Sequence, residues 1–352
     1  MASATFLKTC LNAIYFTRAG AILGKYFCGQ GSIFCLHQVV PDIGQQKGFA
    51  PNAKLEITPE FLAEIITLVR LRGFETVSLA EAINRMQNPQ PDHKPFAVFT
   101  LDDGYKDNMI YAQPVFDRLN CPFTVFVVPR MADGNCEIWW RVLEKIIAQT
   151  DRMLVSLGGK NFDFPARTLS QKNITWEIVS NILHNMDEHE QRKTIRRIAA
   201  EHNINVDDMC RDAAMSWDEL RELNKDPLCT IGAHTINHFI LTKLFPVECR
   251  NEMAESRRII SEQLGEDIKF FAYPFGDEKS AGPREFALAA AAGYQAAVTT
   301  RKGVVFAKHA NHLQALPRIM VSGRYQKLRY FDALVSGLPT ALLNGFRKLN
   351  VR

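Results

Sequence analysis

Between Ser32 and Met320 the chain keeps returning to one unit: a short apolar run, a glycine or polar residue that closes it, and in most cases a helical pattern behind it. Ser32–Leu36, Phe96–Leu101, Pro122–Val128, Lys269–Tyr273, Ala296–Thr300 and Leu316–Val321 all have strand composition. Parallel strands cannot be joined by tight turns and need a crossover helix, so the alternation restricts the fold to the α/β class with a parallel sheet. About eight strand-like runs are enough to close a distorted (β/α) barrel. In a barrel, ligands meet the C-terminal ends of the strands.

Two of those ends carry chemistry. Phe96–Leu101 runs straight into Asp102-Asp103-Gly104-Tyr105. Adjacent carboxylates repel unless a cation separates their roles, so one is a candidate metal ligand and the other a candidate free base. Read alone, Asp-Asp-Gly is a polar turn that ends a strand. A second apolar run, from Leu228, reaches Gly232 and is followed by His234 and His238. On a helical turn these two would share one face and could grip one ion. An isolated His-x-x-x-His is more often a pair of surface histidines. Both pairs follow the same kind of strand, which favours a shared site.

A third block, Phe271-Ala272-Tyr273-Pro274-Phe275-Gly276, completes a set. With Thr-Leu-Asp-Asp-Gly-Tyr and His-Thr-Ile-Asn-His before it, the chain resembles the polysaccharide deacetylases, carbohydrate esterase family 4, also called the nodulation-deacetylase homology domain. The resemblance spans Ser32 to Val321 with an extra segment inside, and three motifs in order are far more specific than one. It implies removal of N-acetyl groups from amino sugars, with Asp103, His234 and His238 holding a divalent metal. Zn²⁺ is the first choice for two imidazoles and one carboxylate with open positions. It implies Asp102 as the general base. Tyr105, Phe275, Trp139 and Trp140 are candidates for contacting substrate, although a tryptophan pair is more often core. A backbone N–H near Phe275 is a candidate oxyanion donor.

Two departures from the family's pattern matter. Many members supply the general acid from a Leu-x-His motif near the C-terminus, where this chain has Leu316-Pro317-Arg318. His37, in Phe34-Cys-Leu-His, resembles that motif moved to the N-terminus, as in a permuted branch that includes biofilm poly-N-acetylglucosamine deacetylases. His309 and His312 are the other candidates for the acid. The third motif often carries an arginine two residues before its proline, bonded to the base. Here Ala272 stands there, and Arg318 is the candidate substitute, since a guanidinium beside Asp102 keeps it ionised.

Around this core, residues 138–211 break the alternation and read as an inserted, mainly helical subdomain, within a barrel of residues 32–330. A hairpin is expected at Gly158-Gly159. Residues 1–31 form a weakly amphipathic start with Lys8, Arg18 and Lys25, and residues 331–352 an amphipathic tail interrupted at Gly337-Leu-Pro339. Docking on the barrel is the simpler expectation for both, and contact with a membrane surface the alternative. No run of 18 apolar residues and no clear leader is present, and the eight cysteines are scattered. The chain therefore reads as cytoplasmic or peripherally membrane-associated. A formal charge of +4 over 352 residues gives no sign of nucleic acid, and oligomeric state is not legible. Rival functions are a deformylase or amidase on a small nitrogenous substrate, an O-acetyl esterase, and a metal-containing carbohydrate-binding protein without turnover.

Overall fold

A computed structural model of the chain describes residues 4–41, 48–157 and 159–351. Seven parallel strands close a barrel: β1 (Gly31–Leu36), β2 (Phe96–Leu101), β3 (Phe123–Val127), β4 (Cys229–Ala233), β5 (Phe270–Ala272), β6 (Ala296–Lys302) and β7 (Leu316–Met320). Around the barrel the order is sequential, and β1 pairs with both β7 and β2 to close it. The eighth strand-like run, Glu75–Thr76, is only a two-residue strand. It lies beside the start of β2 in register with Phe96 and Ala97, below the point where β3 begins to pair at Phe99. β1 approaches β2 so closely that a Cβ on Gly31 would stand 2.3 Å from the Phe96 carbonyl oxygen.

Side chains alternate along each strand, and the alternation sorts the core. Phe34, Phe99, Val125 and Phe271 join Ile65, Val69, Met253 and Ile260 of the surrounding helices in an outer layer. Ile33, Val98, Phe126, Val298 and Leu316 belong to a separate core inside the barrel. Two residues further along their strands, Cys35, Thr100 and Arg318 occupy the same inward face, and two further still come His37 and Asp102. The charged and titratable inward groups His37, Asp102 and Arg318 thus lie toward the mouth, beyond the apolar Ile33, Val98 and Leu316.

Between β3 and β4 an insertion comprises helix Trp139–Gln149, an antiparallel hairpin Arg152–Leu157/Lys160–Pro165, and helices Leu169–Asn185, Glu188–Glu201 and Val206–Ala213. Gly158 lies outside the described residues, and its partner Gly159 has φ 76°. Helices Leu169–Asn185 and Glu188–Glu201 are parted at Met186 and Asp187, and Asp187 caps the second by accepting from the His189 and Glu190 N–H groups. The insertion has its own core, joined to the barrel through Tyr105, Val128 and Met131. The termini pack together: helices Ala4–Phe16 and Ala19–Phe27 meet helices Leu328–Val335 and Leu338–Leu343. Helix Leu328–Val335 runs across the 330/331 boundary, so the tail begins before it. No described helix is long and apolar enough to cross a membrane.

Candidate active site

The strand registers bring the motif residues to one level. Leu36 pairs with Leu101, so His37 and Asp102 leave β1 and β2 side by side, and the Asp102 N–H donates to the Leu36 carbonyl at 3.0 Å. Ala233 pairs with Val127 and with Phe271, which sets His234 beside both neighbouring strands. Its N–H donates to the Val127 carbonyl at 2.9 Å.

At that level the two adjacent acids part company. Asp102 is buried and gripped by the Arg318 guanidinium through two parallel bonds of 2.7 and 2.6 Å. Arg318 is itself fixed by Thr299 O (2.9 Å) and Thr100 Oγ1 (3.0 Å). Burial pushes the Asp102 carboxyl up, but the Arg318 charge, with His234 and His37, outweighs it and holds the group below the usual carboxylate range. Ala272 therefore leaves no deficit: the cation comes from β7 instead of β5, and the Ala272 carbonyl accepts from His234 Nδ1 at 2.7 Å.

Asp103 turns the other way. Its Oδ1 faces His234 Nε2 at 3.5 Å and His238 Nε2 at 3.2 Å, yet has no hydrogen-bond partner although it is buried. Burial opposes its charge, but the two imidazoles hold its carboxyl well below the usual range. One atom from each of the three residues lies within 4.8 Å of the others. With Nδ1 of His234 committed to Ala272, its Nε2 lone pair is directed at the cluster. An orphaned buried carboxylate oxygen facing two imidazole nitrogens fits a divalent metal. A second group within the same spacing, Cys35, His37 and Asp102, does not. Arg318 occupies both Asp102 oxygens, and burial drives the Cys35 thiol well above its ordinary value, so it stays neutral. Its Sγ–H donates to Asp102 Oδ2 at 3.5 Å.

The backbone is strained where these groups converge. Of the eight described non-glycine residues with left-handed backbone, four are here: Asp103 (φ 76°), Thr235 (61°), His238 (58°) and Phe275 (61°). Such conformations cost about 1–3 kcal/mol each and persist only where the surroundings impose them. This corrects the helical turn expected for His234 and His238. They sit on a loop, and two left-handed residues rather than helical spacing bring their rings together, with centroids 5.0 Å apart. Residues not marked by any motif hold that loop. Glu252, buried on helix Pro246–Leu264, accepts from the Ile236 and Asn237 N–H groups at 2.9 and 3.0 Å and from the Asn237 side chain. Arg192, from the insertion, donates to the Asn237 and His238 carbonyls at 3.0 and 3.2 Å. Each is a charged residue on a helix with no motif around it.

The candidate acids separate. His37 is half-buried at the mouth, a ring nitrogen within 4.8 Å of an Asp102 oxygen. Burial lowers its pKa, and Asp103 and Asp102 only partly restore it. Its carbonyl accepts from Asn108 Nδ2 at 2.8 Å. His309 is buried elsewhere, taking the Phe306 N–H on Nδ1 in a cavity lined by Phe27 and Phe346, and burial lowers it to about 4. His312 is exposed beside Lys308 and Leu343. Neither reaches the site.

The aromatic candidates divide as well. Phe275 lies over the site, its ring 5.3 Å from that of His238 and 5.1 Å from that of His184. Tyr105 is fully buried and its hydroxyl accepts from Trp140 Nε1 at 2.9 Å. Trp139 and Trp140 are buried in the insertion core, with the Trp140 ring 4.9 Å from His238. These three are not free faces for a sugar. Trp140 backs the His238 ring, and its indole N–H is satisfied by the Tyr105 hydroxyl inside an apolar cluster.

Residues 90–297, more than half of the chain, match the polysaccharide deacetylase family. YxkH of Bacillus subtilis, a curated relative with a polysaccharide deacetylase name, is 21% identical over 250 residues, covering 71% of this chain and 60% of its own. The chain thus spans about three fifths of that relative's length. Among solved structures, the Streptococcus pyogenes deacetylase PplD in complex with acetate superposes with a TM-score of 0.55 at 17% identity, over 83% of this chain and 92% of its own. IcaB from Ammonifex degensii gives 0.52 at 17%, over 86% and 96%. At such identity the structural likenesses establish the fold. The match across all three motif blocks establishes descent: the chain belongs to the polysaccharide deacetylase family of hydrolases.

Proposed function

We propose that the protein removes N-acetyl groups from amino sugars of an oligo- or polysaccharide or its precursor, with Zn²⁺ held by Asp103, His234 and His238. The observation that carries this reading is the contrast between two adjacent buried carboxylates. Asp102 is locked and ionised by Arg318, whereas Asp103 offers an unpartnered oxygen to two imidazoles. A bound divalent metal supplies a Lewis acid that lowers the pKa of water and polarises the amide carbonyl.

The remaining work belongs to the chain. Asp102 accepts the proton of the attacking water, and Arg318 keeps it ionised for that task. The Phe275 N–H, presented by its left-handed backbone, is the donor for the developing oxyanion. Breaking the C–N bond requires a proton on the departing nitrogen, and His37 is the titratable group at the mouth that can deliver it. An acetate-bound deacetylase of the same fold supports acetate as the product.

The test is acetate release from a panel of N-acetylated glycans, with metal-stripped protein as control. Release that disappears on stripping and returns with Zn²⁺ is expected. Glycan binding without release would favour a binding protein, and formate rather than acetate from formylated substrates would favour a deformylase.

A further inference from the structure

We infer that the paired termini form a docking face for an anionic lipid surface. No acid precedes Asp42 and none follows Asp332, while six bases lie in those two stretches: Lys8, Arg18, Lys25, Arg347, Lys348 and Arg352. The stretch between them carries two more acids than bases, so the whole positive excess of the molecule resides in its termini. The last acid, Asp332, is neutralised by a forked pair with Arg72, with both bonds at 2.6 Å.

The fold gathers these stretches at one place. Helix Ala19–Phe27 packs its Gly20, Gly24 and Phe27 side on the C-terminal helices: a Cβ on Gly20 would meet Ser336 Oγ at 3.1 Å, and the Phe27 and Phe346 rings lie 5.9 Å apart. That packing uses only one side of a helix that is apolar nearly all round. A helix apolar all round is ordinarily buried, yet here Ile22 is 64% exposed and Leu23 is also exposed. Phe16 on the preceding helix is 70% exposed, and Leu342, Leu343 and Phe346 are exposed on the C-terminal side, Phe346 at 58%.

Basic groups flank this apolar surface. Arg18 lines a groove with Tyr15 and Phe16, in which Arg72 and Asp332 neutralise each other, and Lys308, Arg347 and Lys348 line another with Leu343. Exposed apolar side chains rimmed by uncompensated positive charge match the acyl–headgroup boundary of an anionic bilayer, where each group gains from a different layer. The helices feed the N-terminal end of β1, so the face lies at the opposite end of the barrel from His37 and Asp102 and leaves the mouth clear.

Flotation of the full chain with vesicles of mixed phosphatidylglycerol and phosphatidylcholine, against phosphatidylcholine alone, tests this. Binding to the mixed vesicles that weakens with salt is expected. Loss by about tenfold or more is expected in the Phe16→Ser/Ile22→Ser and in the Arg347→Glu/Lys348→Glu proteins. Circular dichroism should show both variants folded, and their turnover of a soluble substrate should match the parent. Equal binding to neutral and anionic vesicles, or none to either, overturns the inference. So does concentration-dependent self-association that the Phe16→Ser/Ile22→Ser change abolishes without any lipid binding, which would assign the face to a second copy of the chain.

Discussion

A carboxylate that is to serve as a base in a barrel core must be ionised where burial favours the neutral acid, and one residue, Arg318, settles that contest for Asp102. Arg318→Met leaves the carboxylate buried and unpaired, so its pKa rises and the acid limb of kcat/KM moves to higher pH. Turnover near neutral pH should fall by roughly 10²–10⁴. Arg318→Lys keeps the charge but not the fork and should fall between. The native carboxyl lies below its usual range, so its contribution to stability is present above that range and is lost as pH drops through the depressed value. The Met protein should therefore lose less stability than the parent on acidification. An unchanged acid limb would remove Arg318 from the mechanism. His37 is separable by substrate: His37→Ala should lower amide turnover by roughly 10²–10⁴ with metal still bound, and an activated ester, whose leaving group needs little protonation, far less. Equal losses on both would refute its role as acid. At this scale much was legible. Cys35 and His37, Thr100 and Asp102, and Leu316 and Arg318 are spaced by two, and strand parity alone puts each pair on one face. The burial of Tyr105, Trp139 and Trp140 was not, because a tryptophan pair beside a motif reads the same whether it faces a ligand or a core.

At the level of elements, strands position Asp102 and Arg318, but loops in left-handed backbone position the proposed metal ligands. The strands were readable as short apolar runs, each closed by a glycine or a polar residue. The His234–His238 loop was not, because nothing local marks a threonine and a histidine for positive φ, and four-residue spacing mimics a helix. The loop's shape is imposed from outside, by Glu252 below and Arg192 from the insertion, each distant in sequence. A support of this kind orients ligands without touching the metal, and its removal typically weakens metal binding 10–100-fold, by about that factor here as well. Glu252→Ala should do so in a chelator competition, with activity returning when the metal is supplied in excess. Metal affinity equal to the parent's would show that the left-handed backbone holds without its anchor.

On the scale of the whole molecule, the barrel and the insertion have separate cores that meet at the site, through Tyr105 and Trp140 on one side and His184 against Phe275 on the other. The break in alternation over 138–211 was plain in the sequence. That the insertion reaches the proposed metal ligands was not, since contact between distant segments leaves no periodic trace. This dual contact separates two roles. Trp140 and Arg192 support His238, so trimming the entire segment would disturb the metal loop along with the substrate. His184 instead stands beside Phe275 at the mouth, half-buried on helix Leu169–Asn185, and Arg192 and Trp140, not His184, contact His238 or its carbonyl. A side chain that borders the substrate but not the ligands should alter preference without altering metal content. His184→Ala is therefore expected to change relative kcat/KM values across a panel of N-acetylated oligosaccharides by roughly the 10-fold or more that one lost contact brings, with metal stoichiometry equal to the parent's. Parallel decreases on every glycan would make His184 a packing residue and would leave the insertion as a support for His238 alone.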